Sequence, residues 1–511
     1  MKKSTLTIGI IAVLGMAYAG TSWYSGNMIE DHIDDQLALI INKVNLSQDL
    51  FTFSVTKNHY DKGVFSTKVH LTVAVSPRES TIQGNYPKTL FDDDVTIHHG
   101  PFPIAALAKG TFSPQLAWLQ YEMSQQANPT LWKLAGNRPF ISGHTSVSYD
   151  EYITVKLASK AIKASQNEIP TIHDSILDIS NGSYTFSSYT DGSDIKAEIK
   201  LDKLVFLSDD THHFNFDDFK LSLKPLTTTE DIDYEFNIGN INYSFDSFIS
   251  KGNFNVNNFK SKGRINYKNQ NIDEQSSIDK ITLNIKKSTP KIESAIMTIN
   301  KIVMSQKNIL NDSNNTIEGS LVSRIGSIIY GQQNLGSGSF DINFKGVGRQ
   351  FFDPHFKTTV PDISESDKYN IEFSLNKLNW HNASGDINVN LLFNISEINS
   401  SNTDVENYDK INTLKFNLEA PFDVLASLSA QIQNPNTKHV TSEQIAKESV
   451  VIKTNAKMFF SRSPFFIFNK DQTEGIYSNV EYTKGNQNVK VNGQLLDKKD
   501  FLEISNLFSQ H

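Results

Sequence analysis

Ile232-Asp233-Tyr234-Glu235-Phe236-Asn237-Ile238-Gly239-Asn240-Ile241-Asn242-Tyr243-Ser244-Phe245 is the stretch that decides the fold. Ile232, Tyr234, Phe236 and Ile238 alternate with Asp233, Glu235 and Asn237. A period of two belongs to a strand with one face on a core and one in water. Gly239-Asn240 reads as a turn, and Ile241, Tyr243 and Phe245 as the returning strand of a hairpin.

The same alternation recurs on both sides of this stretch. Phe51, Phe53 and Val55 open one strand, and Val69, Leu71, Val73 and Val75 form another that Pro77 ends. Ile195, Ala197, Ile199 and Leu201 alternate with Lys196, Glu198 and Lys200. Phe340, Ile342 and Phe344 follow a Gly336-Ser337-Gly338 loop; Ile387 to Ile395 and Leu414 to Leu418 continue the series. Repeated over most of 511 residues, the pattern predicts a mainly β chain, a β-rich α+β fold. It has one or two long antiparallel sheets and a few flanking helices. The helix candidates are Pro114–Gln125, Pro421–Gln433 and short segments at 441–449 and 500–508. The polar stretch 305–319 reads as a surface loop or hairpin tip and a weak boundary. The expected organisation is 1–25 (signal peptide or signal anchor), 26–48 (amphipathic helix), 49–310 (N-terminal β-rich half) and 311–511 (C-terminal β-rich half).

The N-terminus is an export address. Lys2 and Lys3 precede an uncharged, largely apolar run from Leu6 to Ala19. Ala17-Tyr18-Ala19 followed by Gly20 fits the small-x-small cleavage pattern of a signal peptide. The uncharged run also continues through Trp23 and Tyr24, which makes it long enough for an uncleaved membrane anchor with interfacial aromatics. Either way, everything after residue 25 is exported. Ile29, Ile33, Leu37, Ile40, Ile41 and Val44 then recur at helical spacing.

Composition removes several function classes. The net charge of −8 and the scattered Arg residues give no phosphate-binding surface, so nucleic acid is not an expected partner. The absence of Cys excludes disulfides, thiolate metal sites and a cysteine nucleophile. No Walker loop, nucleophile elbow or His-Glu-x-x-His is present.

His98-His99, just after Asp92, Asp93 and Asp94, is the most conspicuous polar cluster, but neighbours on a strand point to opposite faces. His212-His213, near Asp217 and Asp218, has the same weakness. Gly336-Ser337-Gly338 is followed by a strand rather than the helix a phosphate cradle needs. Glu397 and Glu419 are two acids among 56 and have no special role by position. No catalytic, cofactor or metal residue is therefore assigned. A long sheet with many Phe, Ile and Leu on one face must close on itself or leave an apolar groove.

Several local phrases occur in a telling order. Trp23-Tyr24-Ser25-Gly26 follows the apolar run. Tyr60-Asp61-Lys62-Gly63-Val64-Phe65-Ser66-Thr67 and Ile97-His98-His99-Gly100-Pro101-Phe102-Pro103 come next. Ser384-Gly385-Asp386, Tyr482-Thr483-Lys484-Gly485 and Val491-Asn492-Gly493 close the series. In this order they resemble the YdgA-like family of proteobacterial envelope proteins, a domain of unknown function. Lys62-Gly63 stands where that family commonly has Arg-Gly. The resemblance implies inner-membrane association with the body in the periplasm, and it carries no catalytic residues. The expectation is a non-enzymatic envelope protein, anchored by its N-terminal helix or soluble in the periplasm after cleavage near Ala19. The alternatives are a lipid or acyl-chain carrier using an apolar sheet face, and a hydrolase of an envelope polymer. Possible partners are the inner membrane, a lipid or another envelope protein.

Overall fold

In the computed structural model, the described residues are Ala38, Ile41, Asn42, Asn45 and 51–501. Excepted are 63–65, 79–86, 100–102, 166–167, 169–174, 190–192, 209–211, 227–230, 247–249, 267–268, 288–294, 353–368, 399–409 and 461–462. The expected signal or anchor helix at 1–25 lies outside the described residues, as do most of the 26–48 helix and of the 500–508 segment. No helix among the described residues is long and apolar enough to cross a membrane.

The chain divides into two compact units, Met1–Gly239 and Asn240–His511. The division differs from the expected halves. Residues 310 and 311 lie inside a hairpin, where Leu310 pairs with Ile317 and Asn311 with Thr316.

In the first unit the strands are β1 (Phe51–Lys62), β2 (Ser66–Pro77), β3 (Lys88–His99), β4 (Ala117–Glu122), β5 (Ile141–Val147) and β6 (Tyr152–Ser159). They continue with β7 (Ile162–Ala164), β8 (Ser175–Ile179), β9 (Gly182–Tyr189), β10 (Lys196–Ser208) and β11 (His212–Pro225); β12 (Ile232–Asp246) contains the division. Each of β1 to β5 pairs antiparallel with the next. Then β6 pairs with β9, and β10 takes β9 along one half, β8 along the other and β11 on its far edge.

The alternation of β2 is the reason for its strand. Val69, Leu71, Val73 and Val75 are all buried, and the first three join one core with Val95, Ile97, Phe140, Val155 and Leu157. The helix α1 (Ile104–Ala108) starts at Pro103, and α2 (Pro129–Leu134) is capped by Asn128, whose Oδ1 accepts from Leu131 N at 2.9 Å.

Pro114–Gln125 is not a helix. Its centre is β4, with Leu116 N donating to Val147 O and Met123 N to Ile141 O at either end. Leu119, Tyr121 and Met123 face the core while Trp118 is buried on the other side. A strand buried on both faces loses its alternation, so its leucines mimic helical spacing.

Nor is Ile232–Phe245 a hairpin: β12 is one strand of 15 residues through Gly239-Asn240. Its change of phase has another cause. Leu201 pairs with Phe219 and Lys203 with Asp217, which sets Asp202 and Asp218 opposite one another; Asp218 has φ +55°. The strand there skips one residue in its alternation, as a bulge does. Phe216 and Phe219, three apart, consequently touch with ring centroids 5.9 Å apart, and Leu201 and Leu204 both join the same core. A Cβ on Gly239 would meet Asp218 Cβ at 3.0 Å, so Gly239 belongs to the same line of skipped residues.

The second unit is an antiparallel meander of β13 (Ser250–Asn266), β14 (Asn271–Lys287), β15 (Met297–Asn311), β16 (Thr316–Tyr330), β17 (Gln333–Gly348), β18 (Tyr369–Asn382), β19 (Gly385–Ile398) and β20 (Ile411–Pro421). Residues 305–319 are the β15–β16 hairpin and its tip. Gly336-Ser337-Gly338 is not a loop: it lies within β17, at an irregularity in the pairing with β16. The skipped-residue line appears here too, with Asn258 (φ +52°) and Lys301 (φ +54°). Asn257–Lys280 and Phe259–Ile278 flank Asn258, and Asn300–Ser327 and Ile302–Ile325 flank Lys301.

After β20 come α3 (Phe422–Gln433) and α4 (Ser442–Phe460), then β21 (Ile467–Lys470), β22 (Thr473–Thr483), β23 (Asn488–Val491) and β24 (Gln494–Asp497), with β22 paired to β20. The expected helix at 421–433 is borne out. That at 441–449 runs on to Phe460, started by a capping box in which Gln444 N donates to Thr441 Oγ1 and Thr441 N to Gln444 Oε1. The C-terminal end of α3 clamps the β16–β17 turn: Gln332 Nε2 donates to Asn436 O at 2.8 Å and Gln431 Nε2 to Asn334 O at 3.0 Å. Asn492 and Gly493 have φ +50° and +83°, the two-residue turn that joins β23 to β24.

Candidate functional site: a part-exposed apolar sheet face

Paired residues of antiparallel strands point to the same face. In the second unit this rule yields three parallel rows. One runs Ser276, Met304, Ser323, Phe340, Leu378 and Val389 across β14 to β19. The next runs Glu274, Gln306, Leu321, Ile342, Leu375 and Leu391, and the third Ile272, Asn308, Gly319, Phe344, Phe373 and Phe393. From β17 onward every member is apolar. Glu274 is the one ionisable side chain in the three rows.

The opposite face is built differently. It carries Asp273 opposite Lys307 and Arg264, and Asp341 opposite Lys377.

The apolar rows are not sealed. Val69, Leu71 and Val73 of the first unit are buried, whereas Phe340, Ile342, Phe344, Phe373, Leu375, Leu391 and Phe393 are all half-buried. Among the described residues, no sealed core takes in β13 to β19. Among the described residues, a small core of Val480, Tyr482, Val489 and Val491 closes the face at its β20 side, over Leu414 and Phe416, and the Phe352 ring stacks on Phe344 with centroids 5.6 Å apart. Burying such side chains fully stabilises each by about 1.5–3 kcal/mol, so the face retains a driving force for an apolar ligand.

The polar candidates from the sequence do not converge. His98 pairs in register with Trp118 and His99 with Ala117. Burial holds the His98 imidazole below its ordinary range. The His144 ring stacks on Trp118, centroids 4.2 Å apart. Burial first, then the nearby Lys156 and Lys109 charges, push His144 down to about 4. With its folded value below 6.5, neutral His144 favours folding at high pH, and that contribution is lost as pH falls from 6.5 toward 4. His144→Phe is expected to flatten this part of the stability–pH curve, measured as thermal midpoints between pH 7.5 and 4; an unchanged slope would refute the assignment.

His212 and His213 stand exposed at the start of β11. Glu419 pairs with Asn388, nine positions from Glu397 along β19, so the two acids are about 30 Å apart along the strand. The structure adds one cluster that sequence order hid: His70 contacts Asp94 through Nδ1 at 2.8 Å and Asp92 through Nε2 at 3.2 Å. The Asp94 hydrogen bond raises the His70 pKa. Thr72 gives its hydroxyl to Asp92, not to the imidazole, so no nucleophile–base pair forms there. Among the described residues no three acids and histidines gather as a metal-holding group. Of the motif glycines and prolines, Gly63, Gly100 and Pro101 lie outside the described residues.

A long antiparallel β chain with few helices defines the class: a mainly β protein. The chain belongs to the family described as "Bacterial protein of unknown function (DUF945)", whose model matches residues 1–353. It is 31% identical over 143 residues to Protein YdgA of Escherichia coli (strain K12), covering 27% of this chain and 28% of that protein. It is 26% identical over 112 residues to Uncharacterized protein YihF of the same organism, covering 21% and 23%. The matches thus span about a quarter of each relative's length. No solved structure matches the chain.

Proposed function

We propose that this protein is a non-enzymatic, periplasm-facing envelope protein that binds the acyl chains of a membrane lipid along the apolar face of β13 to β19. The observation that supports it is that the apolar row members on β17 to β19 are left half-buried, whereas the alternating Val69, Leu71 and Val73 of the first unit are buried. The face suits this occupant in length. The apolar rows on β17 run from Phe340 to Phe344, about 14 Å along the strand, against about 15 Å for the hydrocarbon of one leaflet. It suits it in charge, since Glu274 alone is ionisable there. The basic-then-apolar N-terminus supplies an anchor or export signal that brings the body next to a bilayer.

The test is native mass spectrometry with lipid extraction on the full chain, purified from bacterial membranes and the periplasmic fraction. Phospholipid is expected to co-purify, and the paired substitution Ile342→Glu with Leu391→Glu is expected to reduce it at least tenfold. Lys307→Glu, on the opposite face, is expected to leave it unchanged. A wild-type protein free of lipid would sink the reading and direct attention to protein partners.

A further inference from the structure

The three rows change character part-way across the sheet. From β17 on they are apolar, but on β13 to β16 the same face carries Ser261, Ser276, Ser323, Glu274, Gln306 and Asn308. These side chains are not loose surface polarity. Ser261 is 6% exposed, Ser276 8%, Ser323 4% and Asn308 2%. Glu274 lies among them and accepts from Ser261 Oγ at 2.7 Å.

Asn308 supplies an independent observation: its Oδ1 is buried and receives no hydrogen bond. A buried acceptor left unmade costs about 1–3 kcal/mol, so a native chain that keeps one has a use for it. The carbonyl lies over Gly319 on the ligand face, since a Cβ on Gly319 would stand 2.5 Å from Asn308 Oδ1 and 2.6 Å from the Phe344 ring. The Glu274 carboxylate, which accepts from the Ser261 hydroxyl, and the orphan Asn308 carbonyl are acceptors on neighbouring rows. They adjoin the apolar half of the same face.

We infer that this island receives the headgroup of the bound lipid, and that the headgroup is one bearing a primary ammonium. The ammonium donates to Glu274 and to Asn308 Oδ1, with the charge of Glu274 matching its own, while the chains lie over Ile342, Phe344, Phe373 and Leu375. A headgroup with only hydroxyls would satisfy Asn308 but leave Glu274 without a counter-charge in a half-buried place, which is unfavourable. An anionic headgroup without a cation would face Glu274 as a like charge. The inference rests on the lipid-binding reading above and specifies its ligand.

The experiment offers the full-length protein equimolar phosphatidylethanolamine and phosphatidylglycerol of matched chains in detergent micelles. Bound lipid is then counted by native mass spectrometry. The wild type is expected to hold phosphatidylethanolamine about tenfold over phosphatidylglycerol. Glu274→Gln is expected to bring the ratio to near one by lowering bound phosphatidylethanolamine toward the level of phosphatidylglycerol. Asn308→Leu, close in volume, is expected to lower the ratio in the same direction, and circular dichroism on both variants verifies that they fold. Equal binding of the two lipids by the wild type, or a preference untouched by both folded variants, overturns the headgroup assignment and leaves the acyl-chain reading standing. No bound lipid of either kind overturns both.

Discussion

Gly346→Ala is expected to cost roughly 3 kcal/mol or more of folding free energy, the sum of a left-handed backbone penalty of about 1–2 kcal/mol and an overlap of about 1–3 kcal/mol. Gly346 sits in β17 at φ +73°, and a Cβ built there would lie 1.8 Å from Asn370 O on the next strand. The obstacle is backbone, so no rotamer change relieves it. Relief requires β17 and β18 to part near Phe344 and Phe373, which occupy one of the three rows. Gly485 is the control. It also has positive φ, +92°, but open space where a Cβ would go, so Gly485→Ala is expected to lose only about 1–2 kcal/mol. Urea unfolding of the two variants separates the causes. Equal losses would mean that conformation alone, and not the close strand approach, governs Gly346.

Phe422→Ala should be the most damaging single truncation in the second unit, at about 3–5 kcal/mol for a fully buried aromatic. Phe422 is 1% exposed at the first turn of α3 and stacks on Phe468 with ring centroids 6.4 Å apart. Lys453 Nζ lies 5.9 Å from the ring centroid, a contribution of about 1 kcal/mol or less at such a site. Its loss frees the start of the helix whose far end holds Gln332 and Asn334 at the β16–β17 turn. The loss is therefore expected to reach the apolar face as well, seen as faster amide exchange in that turn. Phe422→Leu keeps most of the buried volume and is expected to recover more than half of the stability. If Leu and Ala behaved alike, ring stacking rather than cavity formation would govern the loss.

Much of the fold was legible because strands buried on one face write their burial into the sequence. β2, β19 and β20 stand where Val69–Val75, Ile387–Ile395 and Leu414–Leu418 put them. The failures share a physical origin. Phe216 and Phe219, or Phe254, Val256 and Phe259, look out of phase because one residue between them does not count in the alternation. In β12 that residue coincides with Gly239-Asn240, whose turn propensity made a hairpin the natural reading. Gly336-Ser337-Gly338 misled likewise, since glycine marks an irregularity inside a strand as readily as a turn.

The candidate site was legible only as a possibility, an apolar face in want of a cover. Its rows exist through register, which sets Leu321 beside Ile342 and Ile342 beside Leu375. The polar island was invisible for the same reason. Ser261, Glu274, Asn308 and Ser323 are far apart in the chain and ordinary one at a time. His70 joined Asp92 and Asp94 only because β2 lies against β3.

The line of skipped residues also bears on how such a chain can grow. Asp218, Asn258 and Lys301, the members with positive φ, stand on β11, β13 and β15, alternate strands of the succession. The positive-φ residue therefore repeats by hairpin, not by strand, although the offset itself runs through the strands between. Gain or loss of a whole hairpin preserves the direction of every later strand and the phase of its apolar side chains, whereas gain of one strand reverses both. Relatives that differ in size should accordingly differ by even numbers of strands, and the width of their ligand face should change in increments of about 10 Å.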